Sequence, residues 1–189
     1  MRRPALLLIL FAAAAATAQT TEHRAIVEGA LAQVGVTRGY DPAYHVLHYP
    51  GGDLPLDRGV CTDVVIRSFR KAGLDLQRLV HEDMAAHFAL YPHAWGLTRP
   101  DTNIDHRRVP NLATFFRRRG KSLGVSTKAD DYAPGDVVTW RLPFGAAHIG
   151  VVTDRKAGSG RPLVVHNIGS GAQLEDVLFA YTVTGHYRW

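Results

Sequence analysis

A change of periodicity near residue 130 constrains this 189-residue chain more than any other feature. Before it, apolar residues recur at helical spacing. Ile26, Val27, Ala30, Leu31 and Val34 form one stripe over residues 22–34. Val64, Val65, Ser68, Phe69 and Ala72 form another behind Cys61, on a helix that Gly73 stops. "LDLQRLVHEDMAAHFALYP" reads as a further helix ended by Pro92, and residues 110–119 as one with Leu112, Phe115 and Phe116 inward. After it come "GDVVTWRL", "HIGVVTD", "PLVVHNI" and "FAYTVTGHYRW", short runs rich in Val, Thr, Tyr and Trp between Gly and Pro turns. These predict strands of an antiparallel sheet. Helices first and strands after is the α+β pattern, with N-terminal helices packed on a small antiparallel sheet.

The N-terminus predicts export. Arg2 and Arg3 precede an apolar run from Ala5 to Ala16, and Ala16-Thr17-Ala18 gives a small-x-small cleavage pattern. Residues 1–18 therefore read as a signal peptide and 19–189 as a single domain. The run is shorter than the roughly 20 apolar residues a bilayer span needs, so no stable membrane insertion is expected after cleavage. The expected location is the periplasm or the exterior. Losing 18 residues leaves 171, and losing Arg2 and Arg3 takes the formal charge from +5 to +3. That balance makes no electrostatic case for nucleic acid. The basic run "RRRGK" reads as a solvated helix end that suits the helix dipole.

Cys61 is the one cysteine in the chain. It has no intramolecular disulfide partner, and an unpaired thiol in an oxidising compartment needs a reason. It begins an apolar stripe, so one reading is a small buried hydrophobe. The other is a nucleophile in the first turn of a helix, where backbone N–H groups and the dipole favour the thiolate and can receive an oxyanion.

A nucleophilic thiol needs a base, and His148 opens the strand "HIGVVTD". If Thr153 pairs with Leu163, then His166 faces Gly150, and His148, Gly150 and His166 share one sheet face. A one-residue slip would put Asn167 there instead. Either residue would orient the His148 imidazole, the third-member role in a cysteine–histidine site. "DHRR" sets His106, Arg107 and Arg108 in a loop before a helix, where they could hold an acidic peptide stem or form a structural ion pair with Asp101 or Asp105. Tyr40, Tyr49 and the "PGGD" turn are candidates for a substrate cleft, a packed loop being the alternative. Asp63 reads as a first-turn residue favoured by the dipole.

The order Cys61, His148, then a polar residue one strand later resembles the NlpC-type branch of the papain-like cysteine peptidases. Gly135-Asp136 before the first main strand and "HIGVV" match that family's motifs, while "CTD" stands where the family usually has "CSG". Over nearly the whole mature chain, "YPGGDLP", "GVCTDVVIRSFRKAGLDLQ", "LVHEDM", "NIDHRRVPNL" and "VTGHYRW" resemble the YijF type of bacterial exported proteins, a domain of unknown function. The resemblance implies a papain-like thiol hydrolase, without cofactor or metal, cutting an amide or peptide bond of peptidoglycan or another cell-envelope substrate. Two other readings are a cell-wall binding module that kept the fold without the chemistry, and a zinc-dependent hydrolase. For zinc, the ten histidines offer no H-E-x-x-H spacing.

Overall fold

A computed structural model describes residues 19–189, so the expected signal peptide lies outside the described residues. The first helix, α1, covers residues 19–31 and seals Ile26 and Ala30 in the core. It ends before Val34, earlier than its apolar stripe suggests. There the Gln33 side chain donates to the carbonyls of Gly29 and Val64, and the chain leaves through Gly35 at φ +79°.

The central helix α2 (Cys61–Lys71) is buried continuously from Cys61 to Phe69. Its first turn is capped by Asp63, which accepts the Val60 N–H at 2.7 Å. At its end Gly73 (φ +81°) donates to Arg70 and Leu74 donates to Phe69, the paired closure that a left-handed glycine permits. Helix α3 (Leu76–Ala86) is capped by Asp75. It stops short of Pro92, because the chain turns back to bury Tyr91, whose hydroxyl donates to Asp83 at 2.7 Å. Helix α4 (Val109–Arg118) carries Pro110 in its first turn and buries Leu112, Phe115 and Phe116. The basic run at its end is solvated at Arg117 and Arg119, as expected, while Arg118 pairs with Asp83, and Arg119 and Lys121 lie over the rings of Phe115 and Trp189.

Strands β1 (Gly39–Tyr40) and β2 (Arg58–Gly59) form a short parallel pair beside the start of α2. The main sheet is antiparallel. It joins β3 (Ser122–Leu123), β4 (Val137–Arg141), β5 (Ala147–Lys156), β6 (Pro162–His166), β7 (Gln173–Glu175) and β8 (Thr182–Tyr187) in the order β3-β8-β4-β5-β6-β7. Alternation divides it into two faces. Val137, Ile149, Val151, Val165 and Tyr187 join the core beneath the helices. Val138, Trp140, Val152 and Val164 pack on the other side with Tyr132 and Leu178. The chain is thus α+β, helices against one face of an antiparallel sheet. Among the described residues no helix is long and apolar enough to cross a membrane.

The Gly135-Asp136 pair locks the C-terminus onto this sheet. Asp136 is wholly buried and accepts from Ala133, His186 and Arg188 at 2.6–2.8 Å.

Candidate active site

Cys61 comes first in α2 and meets β5 where its neighbour strand leaves. Val152 exchanges hydrogen bonds with the β4 side, donating to Asp136 and accepting from Gly135. The amides of odd-numbered residues in β5 therefore point toward β6. β6 ends at His166, and Asn167 turns off to donate to the carbonyls of Gly39 and Gly59 at 3.2 and 3.0 Å. The Ile149 N–H is left facing a gap on the Cys61 side, and it, then the amides of Thr62 and Cys61, work to lower the thiol's pKa.

Those three donors do not make a resting thiolate. The thiol is only 5% exposed, and burial pushes its pKa up to about 12, with the Asp63 charge adding to the rise. The expectation that the helix start favours thiolate is therefore corrected. Desolvation outweighs the amides.

His148 follows the register expected from the sequence, with Val151 opposite Val165 and Val152 opposite Val164. That places His148 and His166 as diagonal neighbours. His148 Nε2 lies 2.9 Å from His166 Nδ1, with the rings at 80° and their centroids 5.0 Å apart. Gly150 makes this possible: a Cβ there would stand 2.8 Å from Val164 Cγ1 and 3.1 Å from His166 Cβ. His166 Nε2 in turn reaches Glu175 Oε2 at 2.8 Å.

These bonds set the tautomers. A carboxylate only accepts, so His166 carries its proton on Nε2 and leaves Nδ1 as acceptor. His148 must then donate from Nε2, which leaves its own Nδ1 with a lone pair. Nδ1 has no protein partner among the described residues and is not sealed from solvent. Burial, and then the neighbouring His166, hold the His148 pKa down to about 3. Burial also lowers His166, opposed by Glu175. Both groups rest neutral: a buried thiol at the start of α2, and on β5 an imidazole oriented by His166.

A cleft of about 440 Å³ opens over Cys61. Its walls include Tyr40, Tyr44, Trp95, Arg107, Arg108 and Ala147. Tyr40 stands near enough to Cys61 and Asp63 that both add to the rise in its pKa begun by burial.

Arg107 is built into the wall. It pairs with Asp63 through Nε and Nη2, both at 3.0 Å, and donates to the carbonyls of Ala43 and Asp41. Thr62 donates to the Arg107 carbonyl at 3.1 Å. "CTD" thus has a structural meaning, since both residues after Cys61 fasten the turn that carries Arg107 and Arg108. The ion pair of Arg107 is with Asp63, not with Asp101 or Asp105. His106 faces the interior, 1% exposed, its pKa pushed down to about 3 by burial and then by Arg107 and Arg70. Tyr49 packs edge-on against His81, and it lines no wall of the Cys61 cleft. Of the substrate-binding candidates, then, Tyr40, Arg107 and Arg108 come together at Cys61. Asn167 supports the β1–β2 backbone, and His106 and Tyr49 lie elsewhere. Glu175 escaped sequence reasoning. Among the described residues, no three His, Cys, Asp or Glu side chains converge to hold a metal ion.

Comparison with known proteins bears on the whole described domain. The family model described as "Domain of unknown function (DUF1287)" matches residues 27–189. The chain belongs to this family. It is similar to a curated relative, "Uncharacterized protein YijF" of Escherichia coli (strain K12), with 59% identity over 171 residues, covering 90% of this chain and 83% of the relative. A solved structure, "Structure of NlpC1 from Trichomonas vaginalis", aligns at 15% identity with a TM-score of 0.42. That alignment takes in 89% of this chain and spans 44% of the other. The DUF1287 span contains Cys61, His148, His166 and Glu175 together.

Proposed function

We propose that this chain is an exported thiol hydrolase, a cysteine peptidase or amidase acting on an amide bond of the cell envelope, with peptidoglycan as its substrate. The observation that carries the reading is the bonded series His148–His166–Glu175, which leaves His148 Nδ1 with a free lone pair on the residue before Ile149, whose amide acts on the Cys61 thiol. Export rests on the signal-like residues 1–18, and the substrate on the resemblance to NlpC-type peptidases.

The neutral pair fixes the order of proton movement. Cys61 Sγ attacks the scissile carbonyl carbon as its proton passes to His148 Nδ1. The oxyanion is received by the Cys61 backbone N–H and a second donor. The C–N bond breaks, His148 returns the proton to the leaving amine, and a thioester remains. Water then attacks the thioester with His148 as base. The carboxylic acid leaves and the thiol is restored. His166 orients His148 throughout and stabilises the imidazolium that forms.

A second reading has its own observation. A thiol 5% exposed and held up to about 12 suits a cell-wall binding module on the same fold. Mass analysis of peptidoglycan after incubation with wild type and with Cys61→Ala separates the two. New termini with wild type alone support the hydrolase. Retention on peptidoglycan with no product from the fully reduced protein supports the module, and cleavage by Cys61→Ala overturns the thiol mechanism.

A further inference from the structure

Of the two arginines that form the cleft wall, Arg107 donates four hydrogen bonds, whereas Arg108 is unpartnered. Arg108 makes no ion pair and no side-chain hydrogen bond among the described residues, and its Nη1 is buried without an acceptor. Its guanidinium carbon sits 4.3 Å from the centroid of the Trp95 ring. Stacking of this kind dehydrates one face of the cation and leaves its in-plane N–H groups as the remaining donors.

The surrounding carboxylates are already engaged. Asp63 is held by Arg107. Asp41 binds His45 and the Ala43 N–H. Asp101 takes the Tyr44 hydroxyl and the Asn103 N–H. Arg108 is therefore an uncompensated charge, and it lines both the Cys61 cleft and the adjoining cleft bounded by Thr98, Arg99 and Asn103. Its stacking partner is placed at some cost. Trp95 is a non-glycine residue at φ +61°, 58% exposed, followed by Gly96 at φ +68°. A bulky residue in that region of backbone space is an outlier that asks for a reason.

We infer that Arg108 and Trp95 form an anion subsite that takes a free carboxylate on the ligand of the Cys61 cleft. The guanidinium fork matches a carboxylate in two parallel hydrogen bonds, and Trp95 with the half-exposed Tyr44 offers flat apolar surface to the carbon beside it. The inference deepens the hydrolase reading by giving its substrate class, an acyl group or leaving group bearing a carboxylate. It uses that reading only for the substrate's identity, since the subsite needs no reactive thiol.

The test is therefore a binding measurement. The Trp95 indole N–H resonance of reduced, full-length protein is followed by NMR during titration with N-acetylalanine carboxylate and with its neutral amide. The acid is expected to give a saturable shift, and the amide none. Arg108→Gln is expected to weaken the acid's apparent affinity by about tenfold, equivalent to about 1.4 kcal/mol. Arg108→Lys, which keeps the charge without the fork, should recover part of it. Equal shifts with acid and amide, or an unchanged titration in Arg108→Gln protein whose other resonances match wild type, overturn the inference. A saturable acid shift in a protein that leaves peptidoglycan uncut would keep the subsite and remove the hydrolase.

Discussion

His148 Nε2 stands 2.9 Å from His166 Nδ1, and neither ring is more than 3% exposed. The contact is specific in direction, because the Glu175 carboxylate at 2.8 Å decides which nitrogen of each ring carries hydrogen. Two strands, β5 and β6, supply the rings, and the short β7 supplies the acid.

Glu175 should act as a positioning residue through this direction alone. Glu175→Met removes the only acceptor for His166 Nε2 among the described residues, freeing both rings to change tautomer. Loss of such outer support costs roughly 10–100-fold where it orients a metal-bound imidazole, which sets the scale here. If the proposed hydrolysis holds, Glu175→Met should lower its rate by about tenfold and Glu175→Gln, which keeps an acceptor, only a few-fold. Equal rates for Glu175→Met and wild type would show that the acid has no part in orienting His148.

Gly150 sets the distance between the rings. A Cβ there would lie 2.8 Å from Val164 Cγ1 and 2.9 Å from the Val165 carbonyl, so β5 and β6 would have to separate. Overpacking of this kind costs about 1–3 kcal/mol. Gly150→Ala should lower the urea midpoint and, in protein that still folds, lengthen the His148–His166 bond. Stability and activity both unchanged would count against the close approach.

The Asp63–Arg107 pair should matter for stability more than for chemistry. Asp63 is 3% exposed and Arg107 is 6% exposed, and they join α2 to the 41–43 and 105–108 loops. Removing one charge from a buried pair costs about 3–5 kcal/mol. Asp63→Asn should lose that amount in urea unfolding with little change in m. A loss below about 1 kcal/mol would place the pair among weak surface contacts.

Acid should unfold the protein starting well above the carboxylate range. His106 and His148 fall from 6.5 to about 3 on folding, so below about 6.5 the unfolded chain binds protons that the folded one refuses. Their neutral burial therefore favours unfolding progressively as pH drops from 6.5 toward 3. Burial pushes Asp83 and Asp136 up, but hydrogen bonds from Arg118 and Tyr91 and from Arg188 and His186 outweigh it and hold them below 3.8, so the stability they give is present above that value and is lost below it. The melting temperature should decline in two stages, first below about pH 6.5 and again below about pH 4. A melting temperature constant from pH 7 to pH 5 would mean that the two histidines are protonated in the fold.

Much of this was legible in the sequence because it depends on local pattern. The switch from helical to alternating periodicity carries the α+β order. The register expected from Thr153 and Leu163 holds at Val151–Val165 and Val152–Val164, which joins His148 to His166, although the ladder shifts after Val152 and Thr153 meets Leu163 through its hydroxyl at 2.8 Å. Glu175 was hidden because β7 is three residues long and lies in a polar, glycine-rich stretch with no strand signature. Asp63 finding Arg107, 44 residues away, is tertiary packing that no spacing encodes. The choice between a buried thiol and a thiolate escapes the sequence for the same reason. A helix start can be read from sequence, but the depth to which the fold buries it cannot.

That depth gives a direct prediction for Cys61. Burial raises the thiol to about 12 and lowers His148 to about 3, so a preformed thiolate–imidazolium pair is not the resting state. Alkylation proceeds through thiolate. The iodoacetamide rate in folded protein should therefore be low at pH 6 and climb by about tenfold per pH unit through pH 9, without a plateau near neutrality. Unfolding in urea should return the thiol toward the ordinary pKa of about 8.5 and raise the rate at pH 7. Arg107→Met should make the folded protein slower still, because it leaves the Asp63 charge beside Cys61 uncompensated. A pH-independent rate between pH 5 and 7 would instead mean that the ion pair exists before substrate arrives, and that the sulfur is better solvated than its 5% exposure implies.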